Sequence, residues 1–149
     1  MDDINPPMRR AAPASTPWHL WAVGILSLLW NAVGAASYLM TELGRLDSLG
    51  MRPDQIAYFE SFPAWATAAW ALGVWGCVIG SILLLARSRH AVTAFGVSII
   101  GLIGTAIFSY AVSDVPDGLQ NIPLDIAIWL ITFGLFFYSR RQMARGVLR

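Results

Sequence analysis

The chain has 149 residues, of which 56% are hydrophobic and only 13% charged, against about 25% charged in an average soluble domain. That composition excludes a large water-soluble core and assigns the surplus apolar surface to lipid. Cys77 is the only cysteine, so neither an intramolecular disulfide nor a multi-cysteine metal site is available.

Residues 1–17 hold four prolines, small residues, two acids and Arg9–Arg10, which reads as a disordered cytoplasmic tail. A first span is predicted over Trp18–Met40, with Trp18 and Trp21 as headgroup anchors. The same basic residues, apolar run and Val33-Gly34-Ala35 also fit a cleavable secretory signal. The length of the run, the bulk of Trp30 and the amide of Asn31 inside it oppose that alternative. Thr41–Phe62 is the longest polar segment, and Pro53 followed by Asp54–Ser61 predicts a short helix on the membrane surface or over the bundle end.

A second span follows over Pro63–Ala86, roughly 36 Å of uncharged helix against a hydrocarbon core of about 30 Å. Arg87–His90 stop it, and Ala91–Val112 begins a third span at once, giving a membrane hairpin with a basic turn. An acidic loop, Ser113–Asn121, leads into a fourth span over Ile122–Tyr138, with Asn121 as N-cap and Pro123 in the first turn. Residues 141–149 close the chain as a basic tail, read as a topology determinant and anionic-lipid contact before nucleic-acid binding.

All ten basic residues are arginine, and eight of them lie in the N-terminal tail, the middle turn and the C-terminal tail. The other two loops hold two arginines and six acids, seven with Asp125. By the positive-inside rule both termini are cytoplasmic. The expected fold is an all-α, four-transmembrane-helix up-down bundle.

Small and polar residues form stripes at helical spacing. Gly73, Gly76 and Gly80 on the second span and Gly101 and Gly104 on the third are expected at helix–helix contacts, where small residues allow close backbone approach. Asn31, near the middle of its span, reads first as interhelical glue and second as the floor of a polar cavity. Asp125 is the only acid inside a proposed span; it reads as a first-turn carboxylate at the helix dipole, or as a proton or cation site. With Tyr38 and Ser109 at similar depth, and Thr132 on its own stripe, Asp125 is expected to form a small polar vestibule above Asn31. His19 and His90 lack ligand-spaced companions, so neither a metal site nor a cofactor is expected. No nucleophile–base pair is found, and an enzyme is not expected.

The stretches SLLWNAVGA, FPAWATAAWALGVWGCVIGSILLLARSRHAV and FGVSIIG resemble a group of small bacterial inner-membrane proteins of about this length with four predicted spans. The resemblance covers roughly residues 18–104. Some members carry an automatic "sugar transporter" label, and the family has no established functional residues to transfer. What the resemblance implies is a multi-pass protein of the bacterial inner membrane that passes a small solute, a sugar among them, as an oligomer. The alternative is a non-transporting accessory subunit that packs against a larger membrane complex. In either case the partners are the lipid bilayer and a second copy or another membrane subunit.

Overall fold

A computed structural model describes residues 15–149. Helix α1 spans Trp18–Glu42, α2 Pro53–Glu60, α3 Ala64–Leu85, α4 His90–Ile107 and α5 Ile122–Ala144. A short 3-10 turn, Leu46–Leu49, precedes α2, and a π-helical turn, Phe108–Val112, extends α4. Four helical segments, α1, α3, α4 with its π turn, and α5, are long and apolar enough to cross a membrane. The protein is an all-α, four-span membrane bundle. The stretch expected to be a disordered tail lies, apart from Ser15, Thr16 and Pro17, outside the described residues.

Each long helix packs antiparallel on the next. Tyr38 and Asn31 of α1 meet Trp70 and Ser81 of α3, Gly73 and Gly76 of α3 meet Gly101 and Ser98 of α4, and Tyr110 beyond α4 meets Asp125 of α5. One end of the bundle gathers the start of α1, the α3–α4 turn and the C-terminus; six arginines lie there, at 87, 89, 140, 141, 145 and 149. This basic end stands opposite an acidic end that carries α2 and the α4–α5 loop.

Helix ends follow from local chemistry. Gly44 (φ 62°) and Gly146 (φ 72°) take left-handed conformations after α1 and α5, where a Cβ would be strained. In both places the chain closes a Schellman motif: Arg45 N–H donates to Met40 O, and Val147 N–H donates to Gln142 O. Arg87 (φ 56°) does the same after α3 without being glycine, with Ser88 N–H donating to Leu83 O at 2.8 Å.

The turn at Gly146 changes the reading of the C-terminus. Helix α5 runs to Ala144, about 1.7 turns beyond the expected Tyr138. The chain then folds back, so that Val147 and Leu148 are buried with Leu20, Leu84, Ala91, Phe95 and Leu135. Arg149 N–H donates to Arg87 O, and Arg89 N–H donates to Arg149 O. Residues 141–149 are therefore the end of a helix and a plug across the basic end, not a free tail. The apolar pair at 147–148 drives this, because the Schellman turn aims it at the core. Removing residues 147–149 should lower the melting temperature in detergent by several degrees; an unchanged melting curve would contradict the plug.

The closest approach is between α3 and α4. A Cβ on Gly101 would stand 2.5 Å from Ala69 O and nearer still to Gly73 N. One on Gly76 would stand 2.9 Å from Ser98 Cβ, one on Gly80 2.7 Å from the Phe95 ring, and one on Gly104 2.7 Å from Ala69 Cβ. Gly73 is looser, with Leu102 N at 3.4 Å from its notional Cβ. Gly34 of α1 differs, since a Cβ there meets nothing within 4 Å. Gly101→Ala should therefore destabilise by about 1–3 kcal/mol, the usual cost of overpacking, whereas Gly34→Ala should not. Equal melting temperatures for the two variants in detergent would refute this packing.

Candidate functional site

Polar side chains meet in two places, a seam through the middle of the bundle and a cluster at the acidic end. The seam begins with Asn31 of α1, whose Nδ2 donates to Ser81 Oγ at 3.1 Å and reaches Cys77 O at 3.5 Å. Ser81 is fully buried and donates to Cys77 O at 2.8 Å, one turn back on α3. A hydroxyl inside a helix finds that carbonyl without leaving its own turn. One turn from Cys77 toward the start of α3, Ser98 of α4 donates to Gly73 O at 2.5 Å. Its oxygen lies 2.9 Å from Cys77 Sγ, and because the Ser98 proton is committed to Gly73, the thiol is the donor in that pair.

Thr132 of α5 joins from the far side. Its hydroxyl donates to Ile128 O at 2.8 Å and lies 3.9 Å from Cys77 Sγ. The seam thus touches all four long helices while every hydroxyl proton in it stays within the protein. Asn31 is part of this cross-link, half-buried between α1 and α3. Each interhelical bond of this kind is worth about 0.6–1.7 kcal/mol in lipid. A double-mutant cycle with Asn31→Ala and Ser81→Ala, read by melting in detergent, should give a coupling in that range. Strict additivity would mean the amide and hydroxyl do not interact.

At the acidic end α2 lies across the mouths of α3 and α4. Arg52 N–H donates to Gln55 Oε1 at 3.1 Å, closing the start of α2. The Arg52 guanidinium pairs with Asp54 at 2.8 Å and donates to Asp117 O at 2.7 Å, tying α2 to the α4–α5 loop. Its hydrogen bond holds the Asp54 carboxyl below the ordinary carboxylate range. The buried face of α2 presents Tyr58 and Phe59, with Phe62 following. Phe59 stacks on Trp70 at 5.6 Å, and Phe62 packs against Phe108 at 4.6 Å.

This aromatic lid takes up two of the residues expected to line a vestibule. Tyr38 stands edge-on to Trp70 at 5.1 Å, and Ser109 accepts a hydrogen bond from the Tyr58 hydroxyl at 3.2 Å. Asp125 sits elsewhere, accepting from the Tyr110 hydroxyl near the start of α5. No hydrogen bond or ring contact joins Tyr38, Ser109 and Asp125 to one another among the described residues. Ser109 and Tyr110 are neighbours on the π turn after α4, and consecutive helical residues point in different directions, so one reaches α2 and the other α5.

A concavity of about 340 Å³ does open beside the lid, between the end of α1 and α2. Its walls include Glu42, Asp47 and Glu60, with Phe59 and Phe62 beneath. Ser81 and Tyr110 are the partners that periodicity alone did not single out; each is found only once its neighbouring helix is placed. Among the described residues no group of three or more histidine, cysteine or acidic side chains is placed to hold a metal. Comparison with protein-family models, with curated proteins and with solved structures finds no match.

Proposed function

We propose that this protein is a non-transporting assembly subunit of a bacterial inner membrane, with both termini cytoplasmic, that docks another membrane protein along α5. The observation that carries this reading is the outward face of that helix. Ile126, Leu130, Phe133 and Phe137 are all exposed there, with Gly134 among them. The rings of Trp129, Phe133 and Phe137 form a stacked ladder, at 5.8 and 6.5 Å with interplanar angles of 19° and 21°. Stacked rings are rigid and lose little entropy when a partner covers them.

Gly134 adds a small notch, since a Cβ there meets nothing within 4 Å. Small residues in membrane helices mark packing faces. Those on α3 and α4 are consumed inside the bundle, whereas Gly134 is left for a neighbour. The seam supports the same reading, because its hydroxyls and thiol are engaged with one another and with carbonyls rather than presented to a solute. The sidedness rests on the six arginines of the basic end.

A second reading, a solute transporter acting as an oligomer, is favoured by the acidic-end concavity beside Phe59 and Phe62 and by the resemblance to proteins labelled as sugar transporters. Two measurements separate them. A photo-cross-linker in place of Leu130 should give one adduct of defined mass in native membranes, and Gly134→Leu should suppress it. Vesicles reconstituted with the purified chain should take up no more labelled sugar than empty ones. Sugar uptake that Asp125→Asn abolishes would overturn the assembly reading in favour of transport.

A further inference from the structure

A second exposed feature lies on the α3–α4 side, and its chemistry differs from that of α5. An open groove of about 690 Å³ runs between the two helices. Its walls include Ala68, Trp75 and Ile79 of α3 and Thr93 and Val97 of α4, and it reaches His90 at the basic turn. From Ala68 to the level of His90 is about 20 Å along the helices. The groove lies open along that length, and its wall residues other than Thr93 and His90 are apolar. A long, open and almost wholly apolar groove suits a flexible hydrocarbon chain.

Charge distinguishes the two ends of the groove. The far end, near Ala68, is apolar, while His90 at the other end is exposed and follows the exposed Arg89. Arg89 uses its backbone N–H on Arg149 O. Its guanidinium makes no hydrogen bond or ion pair among the described residues. Neighbouring Arg87 is committed differently, donating from Nη1 to Thr16 Oγ1 at 2.7 Å. An apolar slot that ends on an imidazole, with an exposed arginine as the preceding residue, matches an amphiphile with one anionic end.

We propose that this groove holds one acyl chain of an anionic phospholipid from the leaflet at the basic end, with the headgroup phosphate against Arg89 and His90. Guanidinium donors fit a phosphate's oxygens in pairs, and the imidazole adds another donor at the same height. The site is independent of the α5 docking face, so either proposal survives failure of the other.

The test uses the full-length chain in neutral detergent, titrated with dioleoyl phosphatidylglycerol or dioleoyl phosphatidylcholine and read by native mass spectrometry. One phosphatidylglycerol should bind about fivefold more tightly than phosphatidylcholine, the effect of one cationic side chain beside an anionic headgroup. Arg89→Gln combined with His90→Gln should erase that preference while leaving binding through the acyl chain. Thr93→Trp, which fills the groove next to His90, should weaken both lipids; Leu29→Trp on the exposed face of α1 should change neither. Equal wild-type affinity for the two lipids overturns the proposal without needing any variant. So does unchanged phosphatidylglycerol binding in Thr93→Trp, and so does a dimer that Thr93→Trp dissociates, which would assign the groove to a second copy.

Discussion

The meeting of two glycine-lined backbones, Gly73 on α3 and Gly101 on α4, is the constraint on which the rest of the bundle depends. Lipid tails are as apolar as leucine, so burying leucine between helices gains little in a membrane. What remains is close van der Waals contact and hydrogen bonding, and both need short interaxial distance. With a Cβ on Gly101 excluded by Ala69 O, the two helices approach until Ser98 reaches the Gly73 carbonyl at 2.5 Å. A slip of one residue would rotate that contact by about 100° and bring Leu102 or Ile100 into the gap. The glycines therefore set the axial register of the hairpin as well as its spacing.

Register on α3 and α4 then positions the other helices. Cys77 and Ser81 sit one turn apart on the side of α3 that receives Asn31, which fixes the height of α1. The Phe95 ring, held over Gly80, occupies the centre of the basic end. Around it close Leu20, Leu135 and the returning Val147 and Leu148. At the acidic end the fastening changes character. There α2 is held by ring packing and by the exposed Arg52–Asp54 pair with its reach to Asp117 O. An exposed ion pair contributes little by itself, so the rings of Tyr58, Phe59 and Phe62 supply most of the lid's attachment.

The division between interior and surface bears on function. Within the bundle the polar groups of the seam are engaged with one another and with backbone carbonyls, which cross-links the helices. Outside it, two faces carry chemistry beyond that of a plain lipid-facing helix: the stacked rings of α5, and the α3–α4 groove that ends on His90. The proposed assembly role and the proposed lipid site rest on these two faces, the one on stacked rings and the other on an apolar groove.

Much of this was legible from residue order alone. Long apolar runs dictate spans, because an unpaired backbone cannot cross hydrocarbon. Charge and proline placed the ends of α1, α3, α4 and the start of α5, and Pro53 placed the start of α2. The small-residue stripes marked one side of α3 and α4, since periodicity is local and survives without knowledge of partners. Periodicity does not say which stripe faces which helix. Only the tertiary structure decided that Gly73 meets Gly101 while Gly34 and Gly134 face open space. The same holds for Tyr38, Ser109 and Asp125, whose shared depth follows from counting residues along the helices. Their separation depends on where α2 comes to rest and on Tyr110, which meets Asp125 while Ser109 meets Tyr58. The fate of residues 145–149 was likewise hidden: five residues after the last helix are too few to show a pattern. Whether Val147 and Leu148 dangle or plug the bundle turns on one glycine's φ and on a core that four distant segments build together.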